Sequence, residues 1–180
     1  MIIVDGSQAA SGSLGTVDLP TNGITGLSIS GITDSGAQLN FFGAGEALIG
    51  PAGGQARVEA VDLAFTTLSI QYQLGNLFDR IVFKLDAAPG SNITVTAFNQ
   101  SLVQTIVILA LPSDGFINVK ASGADHISKV TLSAAVNIAS IGQVRVDELA
   151  GPQGTVPEPA TFSIVGMGLL GLAVARRKRA

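Results

Sequence analysis

The chain has 180 residues, 47 % of them apolar, with one Tyr, eight Phe and neither Trp nor Cys. Without Cys there are no disulfides, thiolate metal sites or cysteine nucleophiles. The formal charge of −3 is uneven: four of the ten cations close the chain, leaving 6 Lys and Arg against 13 Asp and Glu in residues 1–159, about −7, which excludes a basic footprint for nucleic acid.

Few aromatics and 22 Gly mean a core built from Val, Ile, Leu and Ala, joined by tight turns. Residues 1–22 are rich in Gly, Ser and Ala, with apolar stubs at Ile2–Val4 and Leu14–Leu19. Pro20-Thr-Asn-Gly23 reads as a turn. Ile24 to Thr33 then alternates with apolar residues at 24, 27, 29 and 32, slipping at Gly26 as a bulge would. Asp34-Ser-Gly36 turns the chain into Ala37–Phe42. Gly43 to Gln55, with five Gly and one Pro, predicts a surface loop.

The middle of the chain is patterned most clearly. Val58, Val61 or Ala60, Leu63 and Phe65 lead into a clean alternation at Leu68, Ile70 and Tyr72. Ile81, Phe83 and Leu85 share one face of the next strand, with Arg80, Val82 and Lys84 on the other. Pro89-Gly-Ser-Asn92 precedes a β-branched run to Phe98. Leu102–Leu111 is almost wholly apolar; its length suits a buried helix, but its Val, Ile and Thr favour a strand. Pro112-Ser-Asp-Gly115 and Gly123-Ala-Asp-His126 separate Phe116–Lys120 from Ile127–Leu132, and Gln143–Leu149 ends the series. Short strands with turns every 8–12 residues predict an all-β sandwich over residues 1–150. The closing strands resemble those of jelly-roll domains in exported bacterial proteins, carbohydrate-binding modules among them.

Residues 151–159 form a linker ending in Pro157-Glu-Pro159. From Ala160 to Ala175 no residue is charged, and Arg176, Arg177, Lys178 and Arg179 follow at once. The uncharged run gives roughly 24 Å of helix, somewhat less than a hydrocarbon core of about 30 Å. The flank decides for a single transmembrane helix, because four cations in a row would be stranded in a soluble core. Cations beside a span stay on the cytoplasmic side, so Arg176–Arg179 act as stop-transfer residues and the body faces outward.

This tail resembles the PEP-CTERM sorting signal of Gram-negative bacteria that make exopolysaccharide. Val156, Pro157, Glu158, Pro159, Ala160 and Thr161 match its motif, Gly166, Gly168 and Gly171 its glycine-containing helix, and residues 176–179 its basic end. The resemblance implies recognition and cleavage by an exosortase, a transient stay in the inner membrane, and a destination at the cell surface or beyond. An ordinary tail anchor behind a Pro-rich linker is the plain alternative. Gly166-Met-Gly168-Leu-Leu-Gly171 also fits the dinucleotide fingerprint, but the apolar run around it provides no βαβ unit. An exported body needs a signal peptide. Met1–Val4 is too short for one, so the natural N-terminus is expected to lie upstream.

Candidate chemistry in the body is sparse. His126, the one histidine, sits beside Asp125 in a turn and reads as solvated. Asp79 and Asp86 flank one strand and Asp147 and Glu148 are neighbours; paired carboxylates at suitable separation would serve glycoside hydrolysis, and Asp147 or Glu148 with loop carbonyls would suit a structural calcium. Alternation places Tyr72, Phe65 and Phe83 in the core rather than on a sugar-stacking face. Asn92-Ile-Thr94 and Asn99-Gln-Ser101 fit the glycosylation pattern, a chance match in a bacterial protein. The expected function is therefore non-enzymatic and without cofactor: a structural or adhesive envelope protein in contact with polysaccharide. A carbohydrate-binding module, with or without calcium, is the alternative, and a secreted hydrolase the third reading.

Overall fold

A computed structural model describes residues 1–6, 14–19, 23–51, 56–62, 64–73 and 76–149, all within one compact unit, Met1–Leu149. The sorting tail, including Val156–Thr161, the expected helix 160–175 and Arg176–Arg179, lies outside the described residues. Among those described, no helix is long and apolar enough to cross a membrane.

The fold is all-β. Its strands are β1 (Ile2–Asp5), β2 (Gly15–Asp18), β3 (Ile24–Gly26), β4 (Ser28–Thr33), β5 (Gln38–Gly43), β6 (Leu48–Gly50) and β7 (Arg57–Ala60), followed by β8 (Phe65–Tyr72), β9 (Phe78–Asp86), β10 (Asn92–Asn99), β11 (Gln104–Ala110), β12 (Phe116–Ala121), β13 (Ile127–Ile138) and β14 (Ser140–Glu148). Every ladder is antiparallel. A front layer runs β11-β10-β13-β8-β5-β4 and a back layer β1-β12-β9-β14-β7-β6-β3. Strand β2 pairs with both β4 and β14, and a single bridge, Ile127 to Phe78, joins β13 to β9.

Period-two alternation builds the core between the layers. Leu39, Phe41, Leu68, Ile70, Val95, Val130 and Leu132 enter from the front; Ile81, Phe83, Leu85, Ile117, Val119, Ile141 and Val146 enter from the back. Tyr72 and Phe78 meet across the layers edge to face, with ring centroids 5.6 Å apart. The turn into β12 needs Gly115 twice over. Its φ is +75°, and a Cβ there would lie 2.5 Å from the Leu85 carbonyl oxygen.

Two expectations are corrected and one open alternative is decided. The stretch Ile24–Thr33 is two strands, β3 and β4, parted at Leu27 rather than bulged at Gly26, because β3 pairs with β6 while β4 pairs with β5 and β2. The phase of β4 follows those partners: Ile29 and Thr33 point inward while Leu27 and Ile32 are exposed. Gly43–Gln55 is not all surface loop, since it contains β6, whose Leu48 is wholly buried. In the next stretch Ala60 is the buried residue and Val61 is exposed.

Candidate functional site

Three places on the body have the chemistry to bind or react: the turn around His126, a cleft on the back layer, and the outer face of the front layer.

His126 is partnered rather than solvated. Its Nδ1 lies 2.7 Å from Asp79 Oδ1, and its backbone N–H donates to Gln100 Oε1 at 2.8 Å. Asp125 faces elsewhere, accepting from the Met1 ammonium and, at 3.2 Å, from the Asn99 amide. The ammonium bond first, and the Asn99 bond second, hold the Asp125 carboxyl below the usual carboxylate range. Ser128, the nearest hydroxyl in sequence, donates to the carbonyls of Phe98 and Asn99. His126 therefore joins two strand ends in a structural pair with Asp79.

The carboxylates singled out in the sequence are spread over the back layer. Asp79 and Asp86 sit near opposite ends of β9. Glu148 accepts a hydrogen bond from Ser35, and its charge lies close to the buried Tyr72 hydroxyl. Burial first, then the Glu148 and Asp147 charges, push the Tyr72 hydroxyl far above its ordinary value, so it stays protonated. Among the described residues no three of His, Asp and Glu converge as metal ligands. Asn99, singled out by its glycosylation pattern, accepts through Oδ1 from the Ser101 and Val103 backbone N–H groups, and so closes the β10–β11 turn where Leu102 takes φ +62°.

The cleft was not legible in sequence. A register shift between Gly142 and Arg145 bends β14 and puts Gln143 at φ +50°. The resulting hollow, about 420 Å³, is lined by Lys84 and Asp86 from β9, Ser140, Gly142 and Gln143 from β14, and Arg57 from β7. Arg57 Nε is tied to Glu59 at 2.7 Å, and Lys84 lies 5.8 Å over the Phe116 ring. With Glu59 beside Arg57, two cations face two carboxylates. The hollow is thus rich in hydrogen-bonding groups but has no net charge with which to trap an ion.

The front layer presents a different surface. Register places Ile106, Thr96, Thr131, Ser69, Phe42 and Ser28 in one row across six strands. The adjacent row holds Gln104, Phe98, Lys129, Gln71, Asn40 and Ser30. Ser69 and Thr131 hydroxyls are 2.9 Å apart, Ser30 donates to Asn40 at 2.7 Å, and Lys129 lies 5.4 Å over the half-buried Phe98 ring. Phe42 and Phe98 are three strand spacings apart across the sheet and one row apart along it, about 16 Å. The platform is broad, mostly uncharged, rich in hydroxyls and amides, and carries two aromatic faces.

The decisive feature for sorting is the tail, with its Pro-Glu-Pro tripeptide, uncharged run and cationic end. Residues 155–179 match the PEP-CTERM protein-sorting motif. The PEP-CTERM match covers all six motif residues, Val156 to Thr161, and the cations Arg176–Arg179. Among curated proteins none matches the chain. Among solved structures the body is similar to a mutant family 29 carbohydrate-binding module complexed with mannohexaose, at 12 % identity and a TM-score of 0.30 over 76 % of this chain and 89 % of that one. It is also similar to an exo-β-1,3-galactanase from Phanerochaete chrysosporium with β-1,3-galactotriose, at 16 % identity and a TM-score of 0.30. That second likeness spans 74 % of this chain and 29 % of the galactanase chain. At that TM-score neither likeness bears on what the body binds. The PEP-CTERM signal itself marks an exported protein sorted at the membrane by an exosortase.

Proposed function

We propose that this chain is a non-enzymatic structural or adhesive protein of the bacterial cell envelope or extracellular matrix. The tail motif at residues 155–179 carries the reading. Residues 160–175 hold the chain briefly in the inner membrane, with Arg176–Arg179 on the cytoplasmic side. Pro157 and Pro159 keep the segment just outside the membrane extended, so that a protease can reach it, and Glu158 presents a charge there. Cleavage then leaves the β-domain at the cell surface or outside the cell. No cofactor is needed for this role.

The test is intact mass and fractionation of the chain, exported with a working signal peptide, in hosts with and without an exosortase. Loss of the tail near Pro157–Pro159 only when the enzyme is present is the expected result. A full-length, membrane-held product in both hosts would reduce the tail to a plain anchor.

The front platform favours a second, compatible reading: contact with exopolysaccharide. Hydroxyl and amide side chains offer both donors and acceptors to sugar hydroxyls, and Phe42 and Phe98 offer apolar faces to sugar rings. Affinity electrophoresis in gels containing the host's polysaccharide should show retardation, relieved by Phe42→Ala with Phe98→Ala. Equal mobility of native chain and variant would remove the platform from consideration.

A further inference from the structure

Between Asp86 and Asp114 the sequence has no charged residue. That interval is the β10–β11 hairpin, and β11 is a sheet edge: among the described residues it pairs with β10 alone. Its inward residues are half-buried, while Ile106 and Ile108 stand on the outer face 55 % and 66 % exposed, and Leu102 and Val103 at the hairpin tip are 74 % and 62 % exposed. Exposed edges are ordinarily guarded by charge, Pro, a bulge or a covering element. From Gln104 to Ala110 this edge has no charge, no Pro and an unbroken register with β10.

We propose that β11 pairs antiparallel with β11 of a second copy of this chain, about a twofold axis at Val107. Parity then sets Ile106 against Ile108 of the second copy on the outer face, and Gln104 against Ala110, so the front layer doubles in width. Charge selects this approach. Residues 1–149 hold 6 Lys and Arg against 12 Asp and Glu, so two copies repel over most orientations, whereas the uncharged hairpins oppose no like charges. A strand also satisfies the unpaired N–H and C=O groups along the edge, which lipid chains cannot do. A polysaccharide could bond to those groups but would not cover the isoleucines.

The cysteine-free sequence permits a direct test on the full chain in mild detergent. One preparation carries Ile106→Cys, another Ile108→Cys, and the two are mixed and gently oxidised. Opposed cross-strand residues approach within disulfide reach. The expected result is a 106–108 cross-linked dimer several times more abundant than either 106–106 or 108–108 dimers, and than dimers formed by Val61→Cys, an exposed control far along the chain. Adding Ile108→Lys to the first chain and Ile106→Lys to the second sets lysines face to face and should lower the yield severalfold. Association through the apolar tail alone would leave 106–108 cross-linking at the Val61 level and insensitive to the lysines. Either result overturns the proposal, as does a 106–106 product that equals the mixed one.

Discussion

The two outer faces of this domain rest on one core and differ in nearly every other respect. The strands of the front layer carry a single charged residue, Lys129; those of the back carry Asp5, Arg57, Glu59, Asp79, Arg80, Lys84, Asp86, Lys120, Arg145, Asp147 and Glu148. On the back, charge organises the surface. Arg80 donates to Asn118 at 2.9 Å, Asn118 donates on to Asp5, and the Lys84 ammonium lies over the Phe116 ring. Even outward-facing Val82, opposite Asn118 and Arg145 in the ladders, is buried. On the front, short hydroxyl and amide side chains leave a flat platform and an unguarded edge. Alternation requires only the inward residues to agree, so the outward half of each strand can be specialised independently. The contrast separates a salt-linked supporting face from a face suited to contact.

If both faces hang from one core, truncating it from either side should cost alike. Phe41→Ala from the front and Phe83→Ala from the back, each wholly buried, should each lower unfolding free energy by about 3–5 kcal/mol in urea denaturation. A large gap between them, or two transitions, would mean that the layers unfold separately. Next in size is Gly115→Ala, which forces a left-handed φ and a contact with the Leu85 carbonyl where the back layer turns. A loss of about 1–3 kcal/mol is expected by the same assay, against a smaller loss for Gly90→Ala, where the left-handed φ of +79° carries the same backbone strain but a Cβ would meet no neighbour.

Smaller again is the front-face hydrogen bond between Ser69 and Thr131. Ser69→Ala should cost about 0.5–1.5 kcal/mol while leaving the core intact, measurable as a shifted midpoint at unchanged m-value. The smallest effect is electrostatic and sits where β2 ties the layers together. Asp34 accepts from the Thr16 backbone N–H at 2.7 Å and hydroxyl at 2.8 Å; these bonds, the backbone one first, hold its carboxyl below the usual range. A depressed carboxylate stabilises the fold above its unfolded value of about 3.9, and that contribution is lost as pH falls through the lower, folded value. Native chain and Asp34→Asn should therefore differ in melting temperature at pH 7 and converge in strong acid.

Much of this architecture was legible along the chain. Leu68, Ile70 and Tyr72, or Ile81, Phe83 and Leu85, announce their strands because each is flanked by polar residues that water keeps outside. The ambiguous run Leu102–Leu111 resolves as a strand, as its β-branching suggested, yet it is an edge with alternate residues exposed and not a buried element. Nothing local distinguishes those outcomes, since exposure depends on whether another strand lies alongside. Leu48 was hidden among glycines for the same reason: three residues make a strand only when β3 and β7 flank them. The cleft depends on the register shift in β14, a mismatch between strands distant in sequence.

By itself the sequence determined the sorting tail, because an uncharged run bounded by Pro-Glu-Pro and four cations has its meaning in linear order. It also determined that the body is all-β, because alternation and turn residues are local properties. Which strands became neighbours, which edge was left open, and which outward residues joined into a platform or a cleft were decided by tertiary pairing alone. Those outcomes rest on contacts between residues up to 124 positions apart, as where the Met1 ammonium bonds the Asp125 carboxylate, and local pattern carries no record of such contacts.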